Sequence, residues 1–215
     1  MKVQEFVSPD DLRGVGGVAE RVHQLMLSGI VDGHLVASDG IRDHDWAEAL
    51  GVSRTPVREA IQRLHGAGLL EIAAARYTRL RAFTPEAARE EEHDWMLLHH
   101  ALIRSIIPRV PNGLIDALHR THRTFLEQDH PTHTAAASFD YFHTLRAAAP
   151  TSAITLGAAA AAYRYRLAQP ALPHPLATDT ELHTGIITAL VNRDPDHAHH
   201  IFTRWIDREH YTTAA

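Results

Sequence analysis

The rhythm of apolar and polar positions divides the chain near residue 84. Before that point, three short stretches repeat apolar residues at helical spacing. Val18, Val22, Leu25 and Met26 predict a helix over Val18 to Ile30 that runs out near Gly29 and Gly33. Trp46, Ala47 and Leu50 predict a second, with Asp43 as its cap and Gly51 as its stop. Val57, Ala60, Ile61 and Leu64 predict a third, which leaves Arg54, Thr55, Arg58 and Gln62 facing outward. It begins between Ser53 and Pro56, with Ser53 and Thr55 competing as the cap, because the N–H that proline lacks has no helical partner in a first turn. After Gly68 the run LLEIAAARYTRLRAF alternates around a non-periodic centre and predicts two small strands joined by a tip near Ala74 to Arg76. Helix, helix, helix, hairpin is the order of a winged helix-turn-helix.

From Thr84 onward helix follows helix, with spans near 85–107, 111–128, 132–148, 151–168, 175–192 and 194–211 separated by prolines. The expected fold is therefore mainly α, with a winged helix-turn-helix over residues 1–82 and an all-α helical bundle over residues 83–215. The small residues of GAAAAAY, from Gly157, predict a helix face that allows close packing. GVGG at residues 14–17 follows no strand and has the wrong spacing for a nucleotide loop, so it reads as an entry to the first helix.

Charge changes this picture in one place. The net charge is −5 over 215 residues, yet residues 53–82 hold six arginines against two glutamates. Residues 1–52 hold four basic against nine acidic residues, and 83–215 hold 11 against 15. The single basic island coincides with the third helix and the hairpin, which suits a localised contact with an anionic polymer. There is no cysteine, no signal-like start, and the longest mostly apolar run, Ala153 to Ala162, is too short to span a bilayer. A cytoplasmic protein without a membrane partner is expected.

The stretch LGVSRTPVREAIQRLHGAGLL, residues 50–70, resembles the recognition-helix signature of GntR-type bacterial transcription regulators. Gly33, Leu35, Ile41, Trp46 and Ala47 fall on the frame that precedes it in that family, with Ala37 and Ser38 in place of Pro-Gly and Asp43 in place of Glu. The resemblance implies DNA contacts from Ser53, Arg54, Thr55 and Arg58, with His44 facing the backbone and Arg76 near the wing tip. Tyr77 stands where the family often has glycine, so the wing turn is expected to differ. An arginine fork carried on a helix in the major groove can read guanine O6 and N7.

The second half is similar to the helical ligand-sensing domain (FCD type) of the FadR branch, whose shorter six-helix form is the VanR type. The similarity rests on Phe142 to Leu145, on YRYRLAQP at 163–170, and on His183 to Asp194. It implies a homodimer on a short inverted repeat of double-stranded DNA and a small-molecule effector that modulates operator affinity. Many such domains hold a metal through one Asp and three His. Here His143 and His183 fit two of the histidines, Phe139 and Trp205 replace the other two ligands, and Asp140 is a substitute carboxylate. No cofactor is expected with certainty, and a divalent metal is disfavoured because two imidazoles and one carboxylate leave it under-coordinated. The expected effector pocket is apolar and aromatic, from Trp95, His99, Phe139, His143, Arg164, Arg166, His183 and Trp205. The alternative is a histidine-rich helical metalloprotein or metalloenzyme fused to a DNA-binding module. No enzymatic activity is expected from the first reading.

Overall fold

The computed structural model describes residues 3, 6–13, 16–73 and 76–212, with side chains as far as Arg204. Among these, nine α-helices and one hairpin follow each other in the expected order. The first unit comprises α1 (Val18–Val31), α2 (Asp43–Leu50), α3 (Arg54–Gly66) and the antiparallel strands β1 (Leu70–Ala73) and β2 (Tyr77–Leu80). α1 buries Val22, Met26, Leu27 and Ile30. α3 buries Val57, Ala60, Ile61 and Leu64, the stripe its sequence spacing requires.

Ser53 holds the N-cap position of α3, so Pro56 falls in the first turn as its chemistry demands. Asp43 is the first residue of α2 rather than its cap, which is Arg42. α2 closes in a Schellman motif: Gly51 takes φ +65°, its N–H donates to the Glu48 carbonyl, and the Val52 N–H donates to that of Ala47. The segment before α2 joins the hairpin, with Ile41 N–H donating to the Thr78 carbonyl and Ser38 N–H to that of Leu80. Ser38 holds φ 73°. The loop keeps the left-handed backbone that glycine favours at this place and imposes it on a serine.

The hairpin register pairs Leu70 with Leu80 and Glu71 with Arg79. Tyr77 belongs to β2 instead of the turn, half exposed, with the Arg79 guanidinium 4.4 Å from its ring centre. Of the expected tip, Ala74 and Ala75 lie outside the described residues.

The second unit comprises α4 (Pro85–Ile106), α5 (Leu114–Leu126), α6 (Pro131–Ala148), α7 (Ala153–Ala168), α8 (Thr180–Asn192) and α9 (Pro195–Thr212). α4 starts at Thr84, whose hydroxyl accepts from the Ala87 N–H, with Pro85 at the first helical position. α4 packs most extensively on α7. The reason is the small face of α7: Ala158, Ala161 and Ala162 are buried, and a Cβ on Gly157 would already touch Leu98. No helix among the described residues is long and apolar enough to cross a membrane.

Buried apolar side chains form two clusters. One draws on residues 3–80 and the other on residues 95–202, with one exception: Leu167 of α7 is buried in the first. α7 therefore lies between two cores, with Tyr165 in the helical cluster while Leu167 and, partly, Tyr163 pack into the N-terminal one.

Candidate nucleic-acid interface

The exposed side of α3 carries two arginines one turn apart, and both converge on one carboxylate. Arg54 donates from Nε and Nη2 to Asp43 at 3.1 and 2.8 Å, and Arg58 donates from Nε to Asp43 Oδ2 at 2.6 Å. Asp43 is pulled below the ordinary aspartate range, chiefly by the Arg54 hydrogen bonds. Its position at the start of α2 adds the positive end of a helix dipole. The consequence is geometric. Two long, mobile side chains are held at the mouth of a groove while remaining 52% and 62% exposed. Arg54 spends both edge donors on Asp43. Arg58 is tied through Nε alone, which leaves its terminal fork for a ligand.

Next to them is a concavity of about 530 Å³ between the start of α2, α3 and the hairpin, lined by Arg42, His44, Arg58, Gln62, Arg76 and Tyr77 among others. His44 and Arg76 are exposed in its lining, and Ser53 and Thr55 are exposed at the start of α3, outside that lining. The structure thus brings His44, Arg58 and Arg76 to one groove, although 32 residues separate the first from the last. Asp43 is the residue that spacing alone did not reveal as part of this site. Its signal was present as the family's acidic position, and its role required seeing that it meets Arg54 and Arg58.

Residues 18–79 match the family profile described as "Bacterial regulatory proteins, gntR family". This segment is a gntR-family helix-turn-helix. Over most of its length the chain is similar in fold to a protein from Rhodococcus sp. RHA1 whose description is that of a transcriptional regulator GntR, with a TM-score of 0.73, 18% identity, and coverage of 90% of this chain and 96% of that one. It is also similar to E. coli McbR/YncC, with a TM-score of 0.68, 16% identity, and coverage of 93% and 100%. No curated protein matches the chain by sequence.

The residues expected to line an effector pocket in the helical unit do not all converge on one cavity. Trp95, His99 and His183 are buried, with exposures of 2%, 0% and 0%. Trp95 packs its ring 4.6 Å from His99, 4.6 Å from Phe142 and 4.9 Å from Tyr165, so the space expected to be open there is filled by aromatic rings. Phe139 is half-buried on another side, 5.0 Å from Tyr163 and beneath the Arg146 guanidinium. His143 is exposed. Arg164 pairs with Glu91 at 2.8 Å, which also meets Arg81 at 3.5 Å, so it bridges the two units. Arg166 donates from Nε to the Val31 carbonyl at the end of α1. The side chain of Trp205 lies outside the described residues.

The metal set fails the same test. Asp140 and His143 are on the exposed side of α6, whereas His183 is buried with both ring nitrogens engaged. Its Nε2–H donates to the Ala177 carbonyl at 2.8 Å, and its Nδ1 faces His122 Nδ1 at 3.3 Å. Among the described residues no three His, Asp or Glu side chains converge as metal ligands. His143, His183 and Asp140 therefore do not form one ligand set.

The buried histidines are structural. His99 Nδ1–H donates to the Trp95 carbonyl at 2.8 Å and its Nε2 accepts from Arg146 at 3.2 Å, which fixes the neutral tautomer. Burial, and then the Arg146 charge, push its pKa down to about 3. Burial likewise lowers His183 to about 4.

Proposed function

We propose that the chain is a DNA-binding transcription regulator that reads a duplex with α3 in the major groove and the hairpin alongside. The observation that carries this reading is the Asp43 clamp, which presents the Arg58 fork at a groove-facing helix within the chain's only basic island. Ser53, Thr55, Arg54, His44 and Arg76 add backbone contacts. The working units divide at residues 82 and 83. The second unit supplies homodimerisation and senses a small molecule, as in the FadR branch of the family. Two protomers present two copies of α3 to a short inverted repeat, which multiplies affinity and specificity.

The test is selection of binding duplexes from a random library, then fluorescence anisotropy on the enriched sequence. Arg58→Ala is expected to weaken binding by about 1–3 kcal/mol, with Arg54→Ala at the lower end of that range. Sedimentation should give two protomers per duplex. No enrichment by the wild-type protein, or unchanged affinity in both variants, defeats the reading.

A further inference from the structure

A second cavity, of about 550 Å³, lies where the end of α5, the start of α6, the end of α7 and the proline-rich segment after it meet. Thr132, Ala135, Arg166, Gln169 and Leu172 are among its walls. Arg166 and Gln169 are each only 6% exposed, and each buries a polar atom that has no hydrogen-bond partner: Nη2 of the arginine and Oε1 of the glutamine. A buried charged donor and a buried acceptor left unmatched are costly, and both belong to the wall of one cavity.

We propose that this cleft is an effector site for a small monocarboxylate with an apolar body and a hydrogen-bond donor. The ligand carboxylate accepts from Arg166 Nη2, its hydroxyl or amine donates to Gln169 Oε1, and its apolar part lies on Ala135, Leu172 and the neighbouring prolines. The 18-residue helix α6 begins at Pro131 in the cleft wall, and its positive end favours an anion there. Asp129, exposed on the rim, opposes a second negative charge and selects against dicarboxylates. This inference rests on the reading of the second unit as a small-molecule sensor.

The same arginine connects the cleft to the DNA-reading unit. Its Nε–H donates at 3.0 Å to the carbonyl of Val31, the last residue of α1, and α1 packs along α3. The adjoining turn is tight: a Cβ on Gly33, at φ +77°, would lie 2.5 Å from Thr132 Cγ2 and 3.7 Å from Arg166 Nη2. A carboxylate that engages Nη2 must shift the guanidinium or the Gly33 turn, and either movement displaces the end of α1. Ligand and DNA then oppose each other, and each lowers the affinity of the other by the same factor.

The experiment uses the full chain and a series of acetate, hexanoate, benzoate and phenyllactate, each beside its primary amide, at millimolar concentration. Thermal unfolding is expected to rise by about 2–4 °C with phenyllactate and less with its amide. The response is lost in Arg166→Met, and in Gln169→Glu, whose own carboxylate takes the place of the ligand. The same carboxylate should weaken binding to selected DNA several-fold. The proposal is overturned if no carboxylate exceeds its amide, or if the response persists in a folded variant. Should Arg166→Met fail to fold, Gln169→Glu decides. Loss of all DNA binding with the carboxylate response intact would instead defeat the proposed function.

Discussion

The groove beside α3 and the centre of the helical unit treat ionisable side chains in opposite ways. In the groove, Arg54 and Arg58 stay charged, exposed and gathered on Asp43. In the helical core, His99 and His183 are fully buried, and burial holds them neutral. Exposed charge keeps its hydration and costs little until a partner strips it, so it serves recognition. Buried titratable groups must be neutral or paired, so they serve packing and specify one arrangement. A histidine-rich chain therefore need not be a metal protein. Its histidines act there as aromatic rings that can also make two directed hydrogen bonds.

The largest separation of the two regions is expected from Trp95→Ala. Removing this indole from among His99, Phe142 and Tyr165 should lower stability by about 3–5 kcal/mol in urea unfolding. Affinity of the folded fraction for DNA should stay unchanged; a proportional loss of affinity would mean that the regions are not separate.

Acidification should act on the same core. The folded pKa of His183, about 4, lies below the ordinary 6.5, so the unfolded chain binds the extra proton first. Stability is then complete above pH 6.5 and falls as pH drops toward 4, by roughly 3 kcal/mol for this group. His99 extends the loss toward pH 3. Urea midpoints that do not change between pH 7 and pH 4.5 would break the comparison, and His183→Gln should flatten the slope.

Smaller effects are expected at the groove. Ser38→Gly should stabilise the protein by about 1 kcal/mol, by relieving a left-handed serine. Asp43→Asn should cost under ~1 kcal/mol of stability because the arginine of each pair is largely exposed to solvent. It should nevertheless lower discrimination between selected and random duplexes, since Arg54 and Arg58 lose their common anchor. Unaltered discrimination in competition anisotropy would show that Asp43 does not position them.

The elements themselves were legible because each is a local matter. The α3 stripe, the proline in its first turn, the glycine after α2 and the prolines between the later helices act within a few residues of where they stand. The fit of LGVSRTPVREAIQRL to a recognition helix is local in the same sense, as is the basic island around it. Tertiary structure decided which polar residues meet. Asp43 reaches Arg54 and Arg58 from 11 and 15 positions away, and only the crossing of α2 and α3 sets that distance. Arg164 and Arg166 were expected to line an effector pocket inside the helical unit. α7 lies between two cores, however, so its side chains serve both, and the arginines reach Glu91 and Val31 at the seam. Spacing along a helix fixes which residues share a face. It carries no information about what that face will be pressed against, and that is why the pairing of Arg166 with Val31, and the cleft behind it, belong to the folded chain alone.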